Sequence, residues 1–193
     1  MGLLIQLTRG RGHARLLTLC VGIATSCVSA SADTPSRHEL EYRVKAAYLY
    51  NFAVFVTWPD EDGASLDPIV VGVLGDDPFG ELLDATLDGK LVRERPLEIR
   101  RYASLEELGQ CDVLFVAADQ SATVDRILEQ VGSRAVLTIS ELDGIARRGG
   151  VVTLYRESDR IRFRVNIASA ERAGLKVSSR LLKLAEVVRE TTP

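Results

Sequence analysis

Histidine and cysteine are scarce in this chain, with two of the first and three of the second among 193 residues. His13, Cys20 and Cys27 fall within residues 1–32, so the remainder carries only His38 and Cys111. A Ser-His-Asp triad or a Cys-His pair would have to be built on His38, and a His/Cys zinc site lacks ligands. One cysteine closes no internal disulfide, so the core must hold without cross-links. Cys111 precedes the apolar run DVLFVA and reads as a small buried hydrophobe, with an intermolecular disulfide as the alternative. No carboxylate pair is singled out by spacing for acid/base work. The glycines of GVLGDDPFG (72–80) fit neither G-x-G-x-x-G nor a P-loop, and Asp76 and Asp77 would oppose a phosphate. These absences predict a non-enzymatic protein with no cofactor and no metal.

What is present begins with a basic segment. Arg9, Arg11, His13 and Arg15 precede the apolar run LLTLCVGIAT (16–25), and Ala30-Ser31-Ala32 supplies an A-x-A pattern before Asp33. The run is too short for a membrane-spanning helix, which needs about 20 residues. The pattern predicts a cleavable secretory signal over residues 1–32, cut between Ala32 and Asp33, and no direct membrane insertion. Ala24-Thr25-Ser26 before Cys27 makes a poor lipidation motif. Residues 1–32 hold three of the 24 basic residues and none of the 27 acidic ones, so the rest carries 21 against 27, a net charge of −6. An acidic domain lacks the basic surface that nucleic acid requires.

Residues 33–38 read as a polar linker and 39–190 as one domain. A helical stripe of Tyr42, Ala46, Leu49, Ala53 and Val56 predicts a helix over 39–56 that stops before Pro59. Strand and helix patterns then alternate: strands at 69–75, 97–102, 112–117 and 135–140, helices at 78–87, 105–108, 123–131 and 141–148. Asp77 is the expected cap of the second helix, with Pro78 at its first position, and Ser140 the cap of the helix over 141–148. Residues 151–165 read as a hairpin turning near Glu157-Ser158-Asp159, and 178–190 as an amphipathic helix. The alternation predicts an α/β layered fold, with a mainly parallel central sheet flanked by helices and the C-terminal β-hairpin at its edge.

Three groups of residues are candidates for binding. Arg160, Arg162 and Arg164 alternate with Ile161, Phe163 and Val165, which puts the arginines on one face beside Asn166. That face either protects an edge strand or docks a partner. Six of the eleven aromatic residues lie between Tyr42 and Trp58. Most of that stretch reads as core, with Tyr48, Tyr50 and Trp58 offering polar handles for a dimer or partner interface. The carboxyl ends of the parallel strands would form a ligand crevice near Gly75, Asp76, Asp119 and Gln120. A small-ligand-binding sensory protein of the periplasm, acting on another signalling pathway, is therefore an alternative reading.

The stretch EYRVKAAYLYNFAVFVTWPD (41–60) resembles the opening of the YfiR family, in which V-K-A-A-[FY]-L-Y-N-F is followed by an aliphatic run and W-P. VGVLGDDPFGELL, CDVLFVA, VLTISE, GGVVTLYRESDRIRFRVNI and AGLKVSSRLLKLA follow in order, so the resemblance runs from about Glu41 to Val188. It implies an exported, non-catalytic α/β domain. Such a domain binds the periplasmic part of a YfiN-like inner-membrane diguanylate cyclase and represses it, lowering cyclic di-GMP and biofilm formation. It also implies sequestration by a YfiB-like outer-membrane lipoprotein, and homodimers. Some members carry cysteine pairs, whereas this chain keeps only Cys111 beyond the signal, and Val54 stands where a lysine is common.

N-terminal sequencing of the exported protein should begin at Asp33. A product that retains residues 1–32 would show that this segment is not a cleaved signal.

Overall fold

The computed structural model describes residues 35–59, 66–132 and 134–189. The signal and its cleavage point lie outside the described residues, which all belong to one compact unit starting at Pro35. In chain order the helices are α1 (Arg37–Phe55), α2 (Glu81–Leu87), α3 (Val124–Val131), α4 (Ile167–Arg172) and α5 (Ser179–Leu182). The strands are β1 (Val56–Thr57), β2 (Ile69–Leu74), β3 (Leu91–Val92), β4 (Arg95–Tyr102), β5 (Val113–Val116), β6 (Leu137–Ser140), β7 (Val152–Glu157), β8 (Arg160–Asn166), β9 (Lys176–Val177) and β10 (Glu186–Val188).

Eight strands form one mixed, mainly parallel sheet in the order β10-β8-β7-β6-β5-β2-β4-β3. Within it β4, β2, β5, β6 and β7 are parallel, in the spatial order second, first, third, fourth, fifth. That is the flavodoxin-like winding, whose switch point falls between β2 and β5. Alternation along β5 sends Val113 and Phe115 into one hydrophobic cluster and Leu114 and Val116 into another. The first cluster includes α1 and α2 through Leu49, Phe52, Leu83 and Leu87; the second includes α3 through Val124, Ile127 and Val131. Burial of both faces explains why the central strands read as unbroken apolar runs.

α1 is the longest element because its start and end are both fixed. The Ser36 side chain accepts the Glu39 N–H at 3.0 Å, so the helix begins at Arg37, two residues before the stripe suggested. Past Phe55 the chain becomes β1, which pairs antiparallel with β9. Arg93 closes the helix end by donating to the Val54 and Val56 carbonyls at 3.2 and 2.8 Å. Arg93 (φ 49°) and Glu94 (φ 69°) make the two-residue turn of the β3–β4 hairpin in left-handed conformations that side chains avoid.

Four local expectations change. The helix expected over 178–190 is only one turn, α5, after which the chain extends into β10 and pairs parallel with β8. The β7–β8 hairpin is present, but β10 covers it, so the hairpin is not the sheet edge. The physical reason is the outer side of β8: unpaired main-chain groups there are satisfied by a strand but not by a helix. Ser140 caps no helix over 141–148. Its hydroxyl donates to the Val116 carbonyl at 2.6 Å, and only a 3-10 turn at Ile145–Arg147 forms beyond it. Asp77 does not cap α2, which starts at Glu81 after Gly80; Asp77 instead accepts the Phe79 N–H and pairs with Arg101 at 2.7 Å.

Gly75 follows β2 at φ 94°, and a Cβ there would collide with the Asp119 carboxylate. Gly75→Ala should therefore cost about 1–3 kcal/mol, read from urea unfolding. Adding Asp119→Ala should restore part of the loss. No recovery in the double variant would show that backbone strain alone is responsible.

Candidate functional site

The α1 face opposite the core meets the β7–β8 hairpin in an open groove of about 600 Å³. Its apolar wall is Leu40 and Val44 from α1, which are 48% and 46% exposed, with Tyr48 and Ile161 partly buried below. Helical spacing places Leu40, Val44 and Tyr48 on one line. Arg37, Glu41, Arg156, Asp159 and Arg160 form the charged rim. Asp159 accepts from Arg37 at 2.5 Å and Arg156 at 3.2 Å, while Arg156 reaches Glu41 at 3.5 Å. Among the described residues Arg160 makes no ion pair, so its guanidinium remains exposed at the hairpin turn.

A buried charge cluster fixes this groove from below. Lys45 is 3% exposed, yet its ammonium donates to Glu41 Oε1 at 2.5 Å and Glu141 Oε2 at 2.6 Å. It also lies 4.2 Å from the Tyr42 ring centroid. The Tyr42 hydroxyl donates to Glu141 Oε2 at 3.3 Å. The cluster joins α1 to the segment after β6 and, through Glu41 and Arg156, to the hairpin. The hydrogen bond from Lys45 lowers the Glu41 pKa below the usual carboxylate range. Burial, then the Glu141 charge, raises the Tyr42 hydroxyl well above an ordinary tyrosine. The sequence signal was present: Lys45 interrupts the apolar face between Tyr42 and Leu49, where a charge must have a buried partner.

The candidate groups scatter differently from their sequence pattern. Arg160 lies on the groove rim. Arg162 pairs with Glu157 at 2.5 Å and is half exposed. Arg164 is 24% exposed; its Nε donates to Glu186 at 3.1 Å and its guanidinium covers the Tyr155 ring at 4.0 Å, which ties β10 to β8. Asn166 is fully buried. Its amide donates to the Ala146 carbonyl at 2.6 Å and its oxygen accepts the Ser169 N–H, so it caps α4 and presents nothing to a partner.

Tyr48 borders the groove, stacks on Phe52 and donates to the Ile161 carbonyl at 3.1 Å. Tyr50 donates to the Leu91 carbonyl at 3.3 Å. Trp58 is 5% exposed and donates to the Asp112 carbonyl at 3.3 Å. The polar handles of all three are thus used within the chain, and the exposed apolar surface of α1 is Leu40 and Val44 instead.

Gly75, Asp76, Asp119 and Gln120 do come together at the switch point, but they fill it. Asp119 Oδ1 accepts the Asp76 N–H at 3.1 Å and Oδ2 accepts from Gln120 at 2.6 Å. A carboxylate in that position opposes an anionic ligand. Among the described residues no group of three His, Cys, Asp or Glu side chains is placed to hold a metal, and no helix is long and apolar enough to cross a membrane.

The geometry is that of an α/β domain with an open groove between its first helix and the β7–β8 hairpin. The sequence matches the YfiR/HmsC-like family over residues 42–186, and the chain belongs to that family. The family is one of non-catalytic, periplasmic regulators of cyclic di-GMP signalling. A crystal structure of a conserved domain protein from Vibrio cholerae O1 biovar El Tor is similar at TM-score 0.52 and 10% identity, over 77% of this chain and 60% of that one. The likeness concerns the fold, and this chain spans 60% of the length of that protein.

Lys45→Ala should lower the unfolding free energy at neutral pH by about 3–5 kcal/mol, because Glu41 and Glu141 would face each other without their cation. Glu41 is depressed in the folded state, so its contribution is present above the unfolded carboxylate pKa and is lost as pH falls through the folded value. The gap between the variant and the parent should accordingly shrink on acidification. A gap that stays constant from pH 7 to pH 3 would locate the loss in packing instead.

Proposed function

We propose that this protein is exported through cleavage at Ala32–Asp33 and represses an inner-membrane diguanylate cyclase by binding its periplasmic part. Family membership together with the exposed α1–hairpin groove supports this reading. The groove offers an apolar line, Leu40 and Val44, beside the exposed cation of Arg160, with Arg162 two residues further along β8 on the strand's outer face. Charged rims around apolar centres are the ordinary composition of protein interfaces. Repression follows from linkage: a protein that binds the inactive receptor conformation better than the active one shifts the receptor towards the inactive state.

A YfiN-like cyclase is the receptor in this reading, and a YfiB-like outer-membrane lipoprotein relieves repression by sequestering the repressor. A homodimer is part of the same reading. Arg164 and Asn166 contribute by holding β8, β10 and α4 in place, while Arg160 and Arg162 make the contact. Tyr48 shapes the groove floor. Tyr50 and Trp58 tie the C-terminal part of α1 and the chain just past it to the Leu91 and Asp112 carbonyls.

Deleting the gene should raise cellular cyclic di-GMP. The intact gene should reverse the rise, whereas a gene lacking residues 1–32 or carrying Arg160→Glu and Arg162→Glu should not. Unchanged cyclic di-GMP on deletion would remove the repressor reading. Full complementation by the arginine variant would remove only the site.

A further inference from the structure

The opposite end of the sheet holds a recess of about 800 Å³ that neither the groove nor the switch point uses. Its origin is topological. A parallel crossover normally carries a covering helix, but residues 103–112 between β4 and β5 form only a 3-10 turn at Leu105–Glu107. One face of β4 and of the start of β2 is therefore left uncovered. Val70, Leu108, Cys111 and Val136 give the recess apolar walls.

Its charges are unevenly matched. Arg95 is tied back to the Asp67 carbonyl at 2.7 Å. Glu98 is held by Arg100 at 2.8 Å, and Asp112 accepts the Val70 N–H at 2.7 Å. Half-buried Arg134 has no such carboxylate: its Nη2 donates to the Gly109 carbonyl at 3.1 Å, and among the described residues it makes no ion pair. Arg100 and Arg134 both line the recess beside Cys111, whose thiol burial pushes up to about 11.

We propose that this recess binds a small organic monocarboxylate, its oxygens bridging Arg134 and Arg100 and its apolar body lying on Val70, Leu108 and Val136. A guanidinium suits a carboxylate through paired N–H donors. The neighbouring carboxylates of Glu98, Asp67 and Asp112 disfavour a multiply charged phosphate, and the apolar walls disfavour a ligand without a hydrocarbon body. This inference does not depend on the identity of the receptor.

Titration calorimetry of the purified protein with benzoate and hexanoate tests it, with benzamide and inorganic phosphate as comparators. At least one carboxylate should saturate at one per chain, with benzamide and phosphate binding at least about tenfold more weakly. Arg134→Gln should weaken carboxylate binding by about tenfold or more at an unchanged melting temperature, and Arg100→Gln serves if the first variant does not fold. Amide shifts should cluster at Gly109–Asp112. Failure of both carboxylates to saturate, equal binding of phosphate, or full binding by a folded Arg134→Gln protein would overturn the proposal.

Discussion

The buried ammonium of Lys45 sets where the longest helix lies, and much of the molecule follows from that. A lysine head removed from water is costly unless it is paired and hydrogen-bonded. Here Glu41 reaches it from the same helix and Glu141 from the segment after β6. Glu41 travels with the helix, so the Glu141 contact is the one that ties α1 to the sheet. With α1 so fixed, Leu49, Phe52 and Ala53 face the core, and Leu40 and Val44 are left exposed beside the hairpin. The exposed line on which the proposed docking rests is a consequence of the buried charge beneath it.

The two ends of the sheet then differ in kind. At the carboxyl ends of the strands, where open α/β sheets usually receive ligands, Asp119 and Gln120 close the space over Gly75. At the amino ends, the missing crossover helix leaves a recess lined with arginines. The groove proposed for docking lies on a third surface, between α1 and the hairpin. A regulator so arranged can meet a protein partner and a small molecule at separate places, and any influence of one on the other would have to pass through the packed sheet.

Much of the fold was legible because periodicity carries it. The apolar runs at 69–75, 112–117 and 135–140 identified the buried parallel strands, and the alternation at 151–165 identified the hairpin. The C-terminus was misread because SSRLLKLAEVV has a helical pattern, and its pairing with β8 is a contact no local pattern reports. The arginines of β8 were correctly placed on a common face, yet their neighbours gave them different tasks: Arg160 on the groove rim, Arg162 on Glu157, Arg164 on Glu186 and Tyr155. Asn166 looked like part of that row and proved to be the cap of α4.

The sequence by itself determined the long first helix, the buried strands and the hairpin, the family and the scarcity of histidine and cysteine, because residue type, spacing and motif order are local properties of the chain. Tertiary structure alone decided which polar groups remain available. Trp58, Tyr50 and Tyr48 looked like interface residues until carbonyls distant in sequence took their donors. Leu40, Val44 and Arg134 gained significance only when long-range packing left the first two exposed and the third without a carboxylate among the described residues. Availability is a difference between what a side chain can bond and what the fold has already supplied, and that supply comes from residues far along the chain.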